Sequence, residues 1–421
     1  MAIGDIKLKT FKIGQLDLMN GDAFFSGFNI YEDILNPYGP SLEVKVVDHK
    51  DSLGEKKING SYDQDVELKF DGDDKVLSGG GGCNLKMKLY RNKNLDDQSM
   101  MNTASGHHKQ YEFRCVSPEF LNAQGNYIEK SFKGPTSEII EHVLDKGFNT
   151  KKKKNISKTK GKRRIVIPRS HPGDVIQRMN SEHVSDKYES SVFALYQSAG
   201  KNGGEHEYHF KTFEELFEQQ PVVKLKQSTT LNYDSTNVQD RQNSIIWFKP
   251  SDNFFSGPRA LSKSSENAID MTSYKVVEVK QQQQKPNFKS ADNAKIYDGE
   301  PSYVDKKPPV DRYIHHKANN KEKHETSAAK TKRSAFLSEL AQTAGWLEVY
   351  YNPKITLGCM IELNIPQKAD QSEGGEKTFN GKFLVTAIRT KYRTAKEPPN
   401  CTMEIQVAKG NSWKESGGGN A

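Results

Sequence analysis

His171, His183 and His209 share one segment of the chain with Asp174, Ser181 and Glu182, the residue types of a hydrolytic triad. Such chemistry needs a nucleophile held on a strained turn, with a base within hydrogen-bond reach. The GxSxG turn that would supply it is absent. His209, between Tyr208 and Phe210, reads instead as a half-buried strand residue. His107-His108 and His315-His316 raise the question of a metal. Adjacent side chains on a strand point to opposite faces, so such a pair does not chelate one ion, and both pairs lie in polar, loop-like surroundings. Cys83, Cys115, Cys359 and Cys401 form no CxxC pair, which leaves zinc without support. Three of them sit in strand-like runs and read as buried thiols of a reducing compartment. Asp73-Asp74 and Asp96-Asp97 lie in turn-like segments without the apolar cleft that glycosidic chemistry requires. Gly79 to Gly82 lead into a strand rather than a helix, and no GKS or GKT appears. They read as a flexible turn or bulge rather than a phosphate cradle. The expectation is a protein that is not an enzyme, with no catalytic, cofactor-binding or metal residue.

One charged feature remains. Residues 151–164 read KKKKNISKTKGKRR. Lys151, Lys152, Lys153, Lys154, Lys162, Arg163 and Arg164 are the candidate contacts for an anionic partner, either nucleic acid or an acidic protein surface. The plainer reading is a solvated loop between a helix and the strand Ile165-Val166-Ile167. No aromatics interleave the cations, so a stacking platform for single strands is not expected. Phe24, Phe25, Phe28 and Tyr31 could wall a ligand or pack in a core or interface.

Composition agrees with a scaffold. Of 421 residues, 34% are hydrophobic and 28% charged, and mean hydropathy is −0.81. That balance divides the core among small modules rather than one large enzyme core. The net charge of +8 suits anionic surfaces without specifying nucleic acid. No apolar run approaches the roughly 18–20 residues of a membrane span, and the first residues lack a signal-peptide core. Synthesis in a cytoplasm is expected.

Several elements must position these residues. Residues 1–118 read as a first β-barrel, with strands over 6–18, 42–48, 64–70, 84–90 and 110–116. Leu42, Val44 and Val46, then Val66, Leu68 and Phe70, place one face of each strand inward. Pro37, Gly39, Pro40 and Ile58-Asn59-Gly60 mark corners. Residues 119–225 read as an α+β module. One helix has Thr136 or Ser137 as N-cap and ends at Lys146-Gly147. A second follows His171-Pro172. A strand pair surrounds a turn at 200–204, and a short helix runs from Thr212 to Glu218. Residues 226–279 give connecting strands around Leu231-Asn232-Tyr233, Ser244 to Phe248 and Tyr274 to Val279. Residues 280–322, with glutamines 281–284, read as a polar arm. Residues 323–411 give a helix over 324–344, ended by Gly345, and a second barrel with strands near 346–351, 360–365, 383–391 and 401–407. Residues 412–421 form a Gly-rich tail. The fold class is thus mainly β: two small antiparallel β-barrels with a central α+β module.

Four runs in this order carry a resemblance. They are Ile30-Tyr31-Glu32-Asp33-Ile34-Leu35 with the Gly39 turn; Ile58-Asn59-Gly60; Pro172-Gly173-Asp174-Val175-Ile176 with Ser190 to Tyr196 and Tyr208-His209-Phe210; and Leu357 to Leu363 with Gly381 to Ile388. Together they resemble the baseplate hub protein of contractile-tailed bacteriophages, whose fold also forms the amino-terminal half of type VI secretion spike proteins. The resemblance implies a homotrimer whose six barrels make a pseudo-sixfold ring. That ring would join the tail tube protein to the central spike protein beside other baseplate proteins in the virion, and its lumen would let DNA pass. The alternatives are a basic nucleic-acid-binding protein and a hub of a type VI or related injection system.

Overall fold

Alternating burial turns most of this chain into strands. The structure is a computed structural model that describes residues 5–20, 23–48, 64–72, 81–94, 109–181, 183–188, 192–200, 204–227, 243–250, 265–270, 275–280, 313–317, 333, 337, 340, 344–365, 380–394 and 400–409. The first strands are β1 (Ile6–Ile13), β2 (Leu16–Asp17), β3 (Phe24–Asp33), β4 (Ser41–Asp48), β5 (Asp65–Gly72), β6 (Gly82–Asn94) and β7 (Lys109–Val116). They pair in the order β3-β4-β7-β6-β5-β1-β2, antiparallel throughout. Leu42, Val44 and Val46 of β4 and Val66, Leu68 and Phe70 of β5 are buried, as their spacing predicts. The single strand expected over 6–18 is a hairpin instead. Gly14 turns the chain there at φ +56, a conformation that costs glycine little.

The next elements are α1 (Pro118–Gly125), β8 (Ile128–Gly134), α2 (Thr136–Lys146), β9 (Lys154–Ile156), β10 (Arg163–Ser170), α3 (Pro172–Ser181), β11 (Phe193–Gly200), β12 (Gly204–Thr212) and α4 (Phe213–Phe217). Helix α1 is unanticipated, although Ser117 caps it by accepting from the Phe120 N–H and Pro118 occupies its first turn. Helix α2 has Pro135 at its N-cap position rather than Thr136 or Ser137. Proline offers no side-chain acceptor, and the Ser137 N–H donates to Thr159 Oγ1 at 2.9 Å instead. Ile139, Ile140, Val143 and Leu144 of α2 and Val175, Ile176 and Met179 of α3 form a core with Phe148, Tyr208 and Phe210. β8 and β10 form a two-stranded antiparallel ribbon, and β9 runs parallel to β12 beside β11. The stretch 151–164 is therefore not a loop throughout. It holds β9, a bridge from Thr159 to Ser185, and the start of β10.

The remaining strands are β13 (Lys224–Gln227), β14 (Ser244–Pro250), β15 (Ser265–Asp270), β16 (Lys275–Lys280), β17 (Tyr313–Lys317), β18 (Ala344–Tyr350), β19 (Met360–Asn364), β20 (Gly381–Arg393) and β21 (Cys401–Ala408). The cycle β13-β14-β18-β21-β20-β19 closes a six-stranded barrel. Within it β13 is parallel to both neighbours. Ala344 and Gly345, expected at a helix end, open β18. A Cβ on Gly345 would lie 2.8 Å from the Phe248 ring, so glycine permits the close pairing of β18 with β14. Arg333, Leu337 and Leu340 are helical, and both leucines pack on the barrel core. β15, β16 and β17 make a separate three-stranded sheet. It places His315 and His316 on β17 opposite Ala268 and Ile269 rather than in a loop. The rest of the polar arm, Ile58-Asn59-Gly60, Leu231-Asn232-Tyr233, His107-His108, Asp73-Asp74, Asp96-Asp97 and the Gly-rich tail lie outside the described residues.

β20 joins the two halves. Leu384 and its neighbours pair with β19, while Ala387 to Arg393 pair with β3. The β3-β4-β7-β6-β5-β1-β2 half and the closed barrel are consequently one continuous hydrogen-bonded sheet over one hydrophobic core. β11 ties the α+β module to that core. Its Ala194 and Tyr196, with Val192 just before it, enter the barrel core, while Phe193 and Leu195 enter the module's own.

Candidate functional site

The triad candidates do not converge. His183 packs on Phe193 and Phe210, at 4.6 and 5.4 Å between centroids. His209 lies on the other face of β12, stacked on Tyr196 at 5.2 Å. His171 lies 4.4 Å from the Tyr127 ring. Burial, followed by the Lys211 charge, holds His209 down at about 4 and keeps it neutral. Burial pushes the Cys115 and Cys359 thiols up to about 12, away from thiolate chemistry. Among the described residues no cluster of three or more His, Cys, Asp or Glu is placed to hold a metal ion. Nor is any helix there long and apolar enough to cross a membrane.

The arrangement instead builds joints, the first of them between module and barrel. The turn at Tyr38-Gly39 reaches into the module, where the Tyr38 ring meets Phe120 at 5.2 Å and Phe148 at 5.8 Å. Gly39 adopts φ +88, and a Cβ there would lie 2.5 Å from the Gln197 side chain. Gln197 is 1% exposed. Its Nε2 donates to the Tyr38 carbonyl at 3.2 Å, and it shares a 2.7 Å bond with the Tyr208 hydroxyl. Its Oε1 accepts from Lys152 Nζ at 2.8 Å. Lys152 also pairs with Glu119 at 2.9 Å, whose other oxygen accepts from Thr150 at 3.0 Å. These buried polar groups satisfy one another and fix the angle of the module on the barrel.

A second joint spans the β20–β3 pairing. On its outer side Trp247 and Thr402 donate to Glu348. Lys391 and Arg389 pair with Glu404. The Arg389 guanidinium lies 5.2 Å over Tyr31, and Tyr31 donates to Glu43 at 3.0 Å. Glu43 in turn pairs with Arg114. One ladder of cross-strand partners thus crosses seven strands from β14 to β7. On the inner side Phe28 stacks on Tyr392 at 4.9 Å. The four aromatics of β3 accordingly divide. Phe28 is core and Phe25 packs against it, Tyr31 belongs to the ladder, and Phe24 is exposed.

The basic run is divided by folding as well. Lys152, Lys153 and Lys154 pair with Glu119, Glu207 and Asp145. Lys151, Lys162 and Arg164 are exposed, and Arg163 opens β10 opposite Gly134. The sequence reading missed Gln197 and Glu119. The one local signal, a glutamine inside an otherwise apolar strand, acquires meaning only once β11 is seen to be buried on both faces.

No protein-family model matches the chain, and no curated protein matches it. Among solved structures it is similar to the tail protein from Neisseria meningitidis MC58, with 9% identity, 96% of each chain covered and a TM-score of 0.52. It is also similar to the 43 kDa tail protein of prophage MuSo2 from Shewanella oneidensis. There identity is 10%, coverage is 96% of this chain and 98% of that one, and the TM-score is 0.53. The chain therefore has the fold of phage tail proteins.

Proposed function

We propose that this chain is the structural baseplate hub of a contractile phage tail, a virion protein with a mechanical role. Three copies form a ring in which two barrel-like halves per chain give pseudo-sixfold symmetry. The ring joins a sixfold tail tube to a threefold spike, sits among other baseplate proteins, and leaves a lumen for DNA. The observation that carries this reading is the fold shared over 96% of the chain with two tail proteins. The β20–β3 pairing supports it further. A sheet continuous across both halves resists shear between them, which a force-bearing ring requires. Closed homo-oligomers also cover strand edges that would otherwise aggregate. Light scattering on the purified chain over a concentration series tests the reading. The expected mass is about three times the 47.5 kDa chain. A stable dimer would overturn it.

A further inference from the structure

In the closed cycle β13-β14-β18-β21-β20-β19, β14 stands three strands from β20 in either direction. β20 carries the joint to the first half of its own chain, through its pairing with β3. The wall around β14 is therefore the side of the barrel that faces away from that joint. The barrel's exposed apolar surface collects there. Among the described residues the large apolar side chains exposed on this barrel are Val222, Ile246 and Trp346. Val222 lies just before β13, Ile246 on β14 and Trp346 on β18. Exposed apolar residues scattered singly are ordinary, whereas a group on adjoining strands marks a contact surface. Ile246 stands where the register slips between Ile245 and Trp247, a bulge of the kind that re-aims a side chain. Trp247 pairs with Glu348 on β18, and Trp346, two residues from Glu348 and on the same face, lies opposite Lys249.

The charges of the wall are uneven. Its acids are taken: Glu348 accepts from Trp247 and Thr402, and Glu362 pairs with Lys224. Lys226 and Lys249 are exposed and hold no carboxylate partner among the described residues. The wall thus offers tryptophan and isoleucine beside uncommitted positive charge, the composition of an interface centre with a charged rim.

Charge also names the occupant. Residues 1–118 hold fifteen lysines and arginines against eighteen aspartates and glutamates, a net −3. Residues 323–411 hold thirteen against nine, a net +4. A basic wall on the second half complements an acidic first half, and its own chain's first half is engaged on the opposite side, at β20. The contact left to the wall is with the first half of another copy. Such a contact joins two different patches, so it is heterologous and builds rings. We propose that the β13–β14–β18 wall, through Ile246, Trp346, Lys226 and Lys249, docks on the acidic first half of a second copy of this chain. The contact rests on the ring reading and specifies the surface that closes the ring.

The test assembles the full chain from a mixture of isotope-labelled and unlabelled copies and couples it with a carbodiimide, which joins an amine to a carboxylate without a spacer. Mass spectrometry of the peptides should find Lys226 or Lys249 of one isotope linked to an aspartate or glutamate of residues 1–118 of the other. Light scattering over a concentration series then reads the variants. Trp346→Ser should weaken trimer formation by at least about 30-fold, the effect of truncating a central aromatic anchor. Lys226→Glu/Lys249→Glu sets like charge against an acidic surface and should weaken it by at least about 10-fold. Both lysines are exposed, so this variant keeps the question open to measurement if Trp346→Ser fails to fold. Val166→Ser, on an exposed apolar residue of β10, should leave the trimer unchanged. A wild-type trimer that the Trp346 and lysine variants leave intact would overturn this contact while the ring stands. So would an equal loss in Val166→Ser, or links from these lysines to the second barrel or the module of another copy. A stable wild-type dimer would overturn the ring and this contact together.

Discussion

Replacing Lys152 by methionine separates a structural lysine from the surface charges on either side of it. Lys152 Nζ lies 2.9 Å from Glu119 Oε2 and 2.8 Å from Gln197 Oε1. The Glu119 side chain is 7% exposed and that of Lys152 is 23% exposed. In Lys152→Met the Glu119 carboxylate keeps the Thr150 hydroxyl but loses its cation. Removing one partner of a fully buried pair costs about 3–5 kcal/mol. Water that reaches the exposed part of this site lowers the figure to about 2–3 kcal/mol. Lys153 pairs with Glu207 from a side chain 68% exposed, and Lys153→Met should cost at most about 1 kcal/mol. Lys151→Met, on an exposed residue, should stay within about 0.5 kcal/mol. Urea unfolding followed by circular dichroism measures all three. The double variant Glu119→Gln/Lys152→Met removes both charges and should recover most of the loss. If Lys152→Met were no worse than Lys153→Met, the buried joint would not bear on stability and the reasoning would be wrong.

Gly27→Ala tests the other joint. A Cβ there would lie 2.2 Å from the Tyr392 carbonyl oxygen, a backbone atom that cannot swing aside. A loss of at least about 2 kcal/mol is expected in urea unfolding, and a neutral result would show that β3 and β20 are not held at this spacing. His209 gives a pH dependence. Its folded value is about 4, against about 6.5 when unfolded. Between those values the unfolded chain binds a proton that the folded chain does not, so stability is full above about 6.5 and falls as pH drops toward 4. At about 1.4 kcal/mol per pH unit the window is worth about 3 kcal/mol. His209→Gln should lose that share of the acid sensitivity. A wild-type-to-variant difference that stays constant from pH 7 to 4 would contradict the burial argument.

The strands were legible because their chemistry is local. Val44 and Val66 alternate with polar neighbours, and period two is all that a half-buried strand needs. Helix α1 was not, because among its buried residues are Glu119 and Ala123 and it carries no apolar stripe. The joints were illegible for another reason. Tyr392 and Phe28 meet across more than 350 positions of sequence, and nothing near either residue names the other. Likewise four consecutive lysines look equivalent in sequence. Only the folded position of Glu119 makes Lys152 a structural residue while Lys151 remains exposed.

The proposed force-bearing ring would have a symmetry that electron microscopy reads directly. End-on electron-microscope averages of the purified assembly should show strict threefold symmetry with six lobes around an open centre, two from each chain. Twofold averages, or a threefold particle with three lobes and a closed centre, would contradict it.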